Sequence, residues 1–218
     1  MPVIPQVILI GIGTGRCGTV SLRELLARQS RTCVTHELQP LSWTATSTQV
    51  FARLRELATR PFTVSGDVCF SYLPHVGELL EDPRVRVVAM RRDREATVRS
   101  YEAKVQDRNH WQRHDGTRWR IDAKWDRCYP KYDPALARRD ALREYWQEYY
   151  ATVDQLVAAH AERVRCFDLG ALDNRRGVVA ILEHCGIQER DRDVAVGIHR
   201  NRAVRPTTRR QSTNQEGR

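Results

Sequence analysis

The apolar run Val7 to Ile12 ends in Gly13-Thr14-Gly15-Arg16-Cys17-Gly18-Thr19, and a helical pattern begins near Gly18. A strand, a glycine turn and a helix N-terminus in that order leave few folds open. They point to an α/β domain whose first crossover starts at this turn. The junction also gathers backbone N–H groups and the positive end of a helix dipole at one point, where a phosphate or sulfate is stabilised. Gly13, Thr14, Gly15, Arg16, Cys17, Gly18, Thr19 and Val20 are therefore the first candidate anion-binding residues.

The spacing from Gly13 to Gly18 satisfies the first half of the triphosphate-binding P-loop, GxxxxGK followed by Ser or Thr, but the next residues are Thr19 and Val20. Without the lysine and the magnesium-binding hydroxyl, a triphosphate loses countercharge and a metal ligand. Arg16 is the cation that remains in the loop.

A second strand-to-helix junction spans Val85 to Tyr101. Within it Arg92 closes the strand and Ser100 lies on the helix, so that a guanidinium and a hydroxyl converge beside the crevice where α/β sheets bind ligands. Both segments resemble the sulfotransferase family that uses 3'-phosphoadenosine 5'-phosphosulfate (PAPS). Its first loop reads roughly Lys/Arg-Ser-Gly-Thr, and its second motif is an Arg followed eight residues later by Ser. Arg16-Cys17-Gly18-Thr19 and Arg92 to Ser100 match them.

The resemblance implies that the loop cradles the 5'-phosphosulfate, with Arg16 helping the leaving group, and that Arg92 and Ser100 hold the 3'-phosphate. Cys17 stands where the family often has Ser, and Val20 where a second Thr is common, each removing one hydroxyl donor. Cys17 at a helix N-terminus is either an acidified, oxidation-sensitive thiol or an inert small side chain.

Sulfuryl transfer also needs a base for the acceptor. Thr32 to Glu37 reads as a second strand returning to the crevice, and it delivers His36 and Glu37 together. Many family members have a glutamate base at this distance beyond the loop, so Glu37 resembles it and His36 is its rival. A third strand, Phe62 to Ser65, ends in Gly66-Asp67-Val68, which makes Asp67 another candidate. The Glu-Lys pair that many carbohydrate-acting members carry there is missing, leaving Arg16 to act on the leaving group.

Further along, helical patterns at Leu22–Arg28, Thr48–Ala58, Tyr72–Leu80, Ala135–Ala161 and Arg175–Cys185 alternate with strands, including a last one at Val164–Phe167. The expected fold over residues 1–198 is a single α/β domain, a mostly parallel sheet flanked by helices, and the family resemblance implies that it is P-loop-like and of sulfotransferase type. The 135–161 helix has Leu136, Leu142, Trp146, Tyr149, Val153 and Leu156 as its core stripe. Asp168-Leu169 resembles a strand-end marker of the family.

The segment 105–134 breaks this rhythm. Trp111, Trp119, Trp125 and Tyr129 alternate there with charged residues, as suits stacking on sugar or phenol rings, and they are the expected substrate-binding residues. His110 and His114 have helical metal-ligand spacing without a third ligand, so no metal is expected.

The 218 residues carry a net charge of +9, but the tail 199–218 holds six Arg against Glu216, giving +5. More than half of the excess thus sits in one polar, aperiodic stretch, an expected mobile tail, and nucleic acid is not the expected partner. Arg200 and Arg202 occupy the position where the family has a basic loop over the 3'-phosphate. The six cysteines lack a CxxC pair, and neither a membrane span nor a signal-peptide pattern is present, which leads to the expectation of a cytoplasmic enzyme.

Taken together, the expectation is a PAPS-dependent sulfotransferase acting on a small-molecule or carbohydrate hydroxyl or amine without metal. The alternatives are a P-loop small-molecule kinase using ATP and magnesium, and a non-catalytic phosphoadenosine-nucleotide-binding protein.

Overall fold

A computed structural model describes residues 7–198. Five strands, β1 Val7–Ile12, β2 Thr32–His36, β3 Val64–Val68, β4 Val85–Arg91 and β5 Val164–Asp168, form one sheet in the order β2-β3-β1-β4-β5. Every pairing is parallel. Parallel neighbours require crossovers. Here these are helices α1 Thr19–Ala27, α2 Ser47–Ala58, α3 Val76–Leu79, α4 Arg94–Val105 and α5 Arg138–Ala159, with α6 Arg175–His184 closing the domain.

Alternation along β1 builds two cores. Ile8, Ile10 and Ile12 face a cluster that includes α2, α3, α4 and α5, through residues such as Val50, Val76, Val98 and Leu142. Leu9 faces the opposite layer, where Leu22, Leu25 and Leu26 of α1 meet Val178, Ile181 and Leu182 of α6. A strand covered on both faces must be apolar at successive positions, which is why Val7 to Ile12 reads as a continuous run.

Several expected boundaries move. Residues 70–80 begin as a 3₁₀ turn, Phe70–His75, because Pro74 has no N–H to give to an α-helical ladder; only Val76–Leu79 is α-helical. The third strand starts at Val64 rather than Phe62, whose side chain is exposed, and it runs through Asp67 to Val68. Helix α5 starts at Arg138, because residues 133–136 are held in a turn by Leu136 N–H to the Asp133 carbonyl (3.1 Å) and Ala135 N–H to Asp133 Oδ1 (2.8 Å). Leu136 therefore lies outside the helix.

Between α4 and α5 the chain is irregular except for a 3₁₀ turn at Asp126–Cys128 and a bridge between Gln112 and Tyr132. Among the described residues no helix is long and apolar enough to cross a membrane. The expected tail 199–218, with Arg200 and Arg202, lies outside the described residues.

Candidate functional site

The strand order reverses at β1. From its carboxyl end the chain passes through α1 toward β2 on one side, whereas β4, its neighbour on the other side, leads on to β5. In doubly wound sheets the crevice at such a reversal receives ligands. Register pairs Ile12 with Ala89, so the 13–18 loop sits beside residues 90–92.

Gly18 ends the loop with φ 101°, and a Cβ there would run into the Leu169 side chain, so the turn into α1 demands glycine. No side chain caps α1, and Leu22 N–H to the Gly18 carbonyl (2.9 Å) closes its first turn. The amides of that turn are the orphan donors of a helix N-terminus, and the dipole adds positive potential there.

The two sequence motifs meet at this loop. Arg16 Nε donates to Ser100 Oγ at 3.0 Å, and Arg92 Nη1 donates to the Arg16 carbonyl at 3.0 Å. Arg16 itself has φ 58°, a left-handed backbone held by these contacts. Both arginines are half-buried, and among the described residues neither is in an ion pair. Two sites expected to be separate are thus one positively charged cluster. Beside Arg92 opens a cleft of about 420 Å³ lined by Arg91, Arg94, Glu95, Trp146 and Asp168 among others, with Trp146 Nε1 donating to the Arg92 carbonyl at 3.0 Å.

On the other flank β2 delivers His36 and Glu37. Glu37 turns sharply out of the sheet with φ 51° while its N–H still bonds the Val68 carbonyl at 3.0 Å. His36 stands between Glu37 and the loop helix, with Nδ1 3.8 Å from Glu37 Oε2 and Nε2 3.3 Å from Thr19 Oγ1. Burial, and secondarily the charge of Asp67, pushes Glu37 up to about 7, partly offset by Lys124. Burial also lowers His36, favouring the neutral imidazole. A carboxyl raised toward neutrality, partly open to solvent and beside the His36 ring, can take a proton from a bound hydroxyl.

Asp67 is a correction. It lies inside β3, 0% exposed, rather than past the strand's end. Its Oδ1 accepts from Thr35 Oγ1 (2.6 Å), and its Oδ2 accepts from Tyr72 Oη (2.9 Å) and lies 3.3 Å from Arg53 Nη2. A fully buried carboxylate with hydrogen bonds on both oxygens is closed off from an acceptor arriving from solvent.

The insertion divides in the same way. Trp111 is 0% exposed and packs edge-on against Tyr101, and Tyr129 is buried between the Phe70 and His110 rings. Both are core residues here, because aromatic area at the base of a long loop is buried under it. Trp119 and Trp125 stay half-exposed, with Arg138 and Lys124 respectively over their rings at 4.5 and 4.9 Å. Cys17 is fully buried and burial pushes its thiol up, the opposite of an activated nucleophile; Val20 is half-buried on α1. His110 Nδ1 pairs with Asp126 Oδ1 at 2.7 Å, and among the described residues no group of three or more His, Cys, Asp or Glu is arranged to hold a metal.

Sequence reasoning missed the polar use of four tyrosines, Tyr101, Tyr145, Tyr149 and Tyr150, whose hydroxyls touch the loop or its neighbours. Helical spacing marks such residues as core, and nothing local reveals where a phenol oxygen ends. Lys124, which acts electrostatically on Glu37, was likewise hidden among the charges of the insertion.

No family model matches the chain, and no curated protein matches it either.

Proposed function

We propose that this chain transfers a sulfuryl group from PAPS to a hydroxyl or amine of a small-molecule or carbohydrate acceptor. The observation that carries the reading is the convergence of Arg16, Arg92 and Ser100 at the amino end of α1, with neither arginine in an ion pair among the described residues. Half-buried guanidiniums that lack a counter-ion among the described residues, on and beside the loop that leads into an uncapped helix, suit a ligand that brings several negative charges.

The donor set fits the nucleotide. Arg16, Thr19 and the first-turn amides of α1 would hold its 5'-phosphosulfate end. Arg92 and Ser100 would hold the 3'-phosphate, and the Trp146-lined cleft beside Arg92 has the size for a nucleoside. When bound, PAPS supplies the sulfuryl group and a phosphate leaving group. Arg16 stabilises charge on the departing oxygens, and the amides of α1 do so without reorganisation.

Glu37 removes the acceptor's proton, and its elevated pKa suits a base working near neutral pH. His36 orients it, and the half-exposed rings of Trp119 and Trp125 offer stacking surface to the acceptor. The parallel five-stranded sheet with a glycine loop after its central strand supports a P-loop-like classification. A cytoplasmic setting is part of the proposal and accords with six free cysteines.

Calorimetric titration with adenosine 3',5'-bisphosphate, and separately with ATP plus magnesium, tests the reading. Tight binding of the bisphosphate with little for ATP is expected. Preference for ATP with magnesium overturns the proposal in favour of a kinase.

A further inference from the structure

Helices α4 and α5 turn four buried tyrosines toward the loop. Tyr149 Oη accepts the Gly13 N–H at 2.9 Å and donates to the Phe70 carbonyl at 2.9 Å. Tyr150 Oη donates to the Met90 carbonyl at 2.7 Å and lies 3.4 Å from Thr14 Oγ1. The other two close on one atom: Tyr101 Oη donates to the Thr14 carbonyl oxygen, and Tyr145 Oη donates to the same oxygen at 3.2 Å. The opposite edge of that peptide carries the Gly15 N–H.

We infer that Tyr101 and Tyr145 are positioning residues: their hydroxyls hold the Thr14 carbonyl edge of the Thr14–Gly15 peptide toward themselves and so keep the Gly15 N–H, a donor, on the opposite edge of the anion-binding loop. A trans peptide rotates as a rigid plate, with its carbonyl and N–H on opposite edges. Flipping this one changes only ψ of Thr14 and φ of Gly15, and glycine accepts either sign of φ, so the backbone alone does little to prevent it. Gly15 has φ 83°, and a Cβ on it would collide with the Tyr101 hydroxyl, which shows how closely the clamp is seated.

A flip leaves the flanking Cα atoms in place but takes the Thr14 carbonyl away from both phenol hydroxyls and puts it on the edge that the Gly15 N–H now occupies, exchanging a donor for an acceptor in the loop. Leaving buried donors unpaired is costly, so the hydroxyls select one of two loop states. Tyr101 directly follows Ser100 on α4, so one turn of helix sets both the loop carbonyl and the arginine side chain. Tyr129 Oη stands 3.5 Å from Tyr101 Oη, which brings the insertion into contact with the clamp. The consequence for nucleotide binding rests on the sulfotransferase reading, whereas the consequence for loop geometry does not.

The test uses Tyr101→Phe, Tyr145→Phe and the double variant of the full chain, with three readouts. These are amide hydrogen exchange at Gly15 and Arg16 without ligand, affinity for adenosine 3',5'-bisphosphate, and global stability in urea. In the folded double variant, exchange at these two amides should rise about tenfold beyond any change in global opening, and bisphosphate affinity should fall about tenfold, with single variants between. In turnover, KM for PAPS should rise while kcat at saturation holds.

Unchanged local exchange in the folded double variant overturns the inference. Should that variant fail to fold, Tyr145→Phe alone, which removes the longer of the two bonds, decides by the same exchange criterion. If wild-type protein binds no bisphosphate yet the variants loosen the loop, the sulfotransferase reading falls and the clamp stands. If wild type and double variant bind bisphosphate equally with unchanged exchange, the reverse holds.

Discussion

Arg16 Nε reaches Ser100 Oγ at 3.0 Å across 84 positions of sequence. This single bond joins the loop after β1 to the helix after β4, and the Arg92 guanidinium closes the arrangement by donating to the Arg16 carbonyl. Ser100 accepts in this bond and keeps its own O–H, and each guanidinium keeps further N–H groups, so the side chains of the cluster still offer donors to an anion, and the predictions below follow from that polarity.

Arg92→Ala should weaken adenosine 3',5'-bisphosphate by about 1.5 to 3 kcal/mol, the range for a lost charge-assisted hydrogen bond. Removing the donor to the Arg16 carbonyl would loosen the loop as well. Calorimetry on the folded variant measures this, and an unchanged affinity would remove Arg92 from the site.

Glu37→Gln should abolish transfer while sparing nucleotide binding, and it should also stabilise the protein above pH 7. Glu37 ordinarily titrates at 4.5 and is raised to about 7. Between those values the native state keeps a proton that the unfolded chain releases, so wild-type stability falls as pH rises through this window. The full cost is about 3 kcal/mol once both states are ionised. Urea midpoints of wild type and variant should agree near pH 4 and separate above pH 7. Coincident curves throughout would show that Glu37 is not held above its usual range.

The pH–rate profile carries the same signature. Wild-type kcat/KM should climb with pH and level off once Glu37 is ionised near 7, and His36→Gln should lower activity while leaving that rising limb in place. A limb that disappears with His36→Gln would make His36 the base.

Asp67→Asn should cost about 1 to 3 kcal/mol, because it removes the buried carboxylate 3.3 Å from Arg53 Nη2, while the Arg53 guanidinium, 2% exposed, keeps its pairing with Glu56. It should also move the Glu37 limb to lower pH, since Asp67 is the second contributor to the raised Glu37 value. Loss of stability by urea melt together with an unmoved pH limb would separate the two roles.

Gly18→Ala should destabilise by about 1 to 3 kcal/mol and weaken anion binding together, since φ 101° is strained for alanine and its Cβ meets Leu169. Thermal unfolding and sulfate titration report the two effects.

The sequence by itself determined what depends on neighbours along the chain. The apolar run of β1, the glycines of its turn and the helical spacing of α1 and α2 are local patterns, and the parallel α/β class follows from their alternation. The adjacency of His36 and Glu37 at a strand end was legible, whereas the left-handed backbone of Glu37, φ 51°, which leaves its carboxyl 3.8 Å from His36 Nδ1, was not.

What only the tertiary structure decided is which distant groups face each other. The sequence does not say that β1 lies between β3 and β4, yet that order brings Arg92 to Arg16 and buries Asp67 against Arg53. Trp111 and Trp125 both have polar residues on either side in the sequence, and the way the long loop folds back leaves one fully buried and the other half-exposed. Tyr149 reads from its spacing as packing alone, but its hydroxyl meets the Gly13 N–H across 136 positions. Periodicity reports which face of an element is apolar; the partner of a polar atom at its tip is set by how several elements close on one another, and that information is distributed over the whole chain.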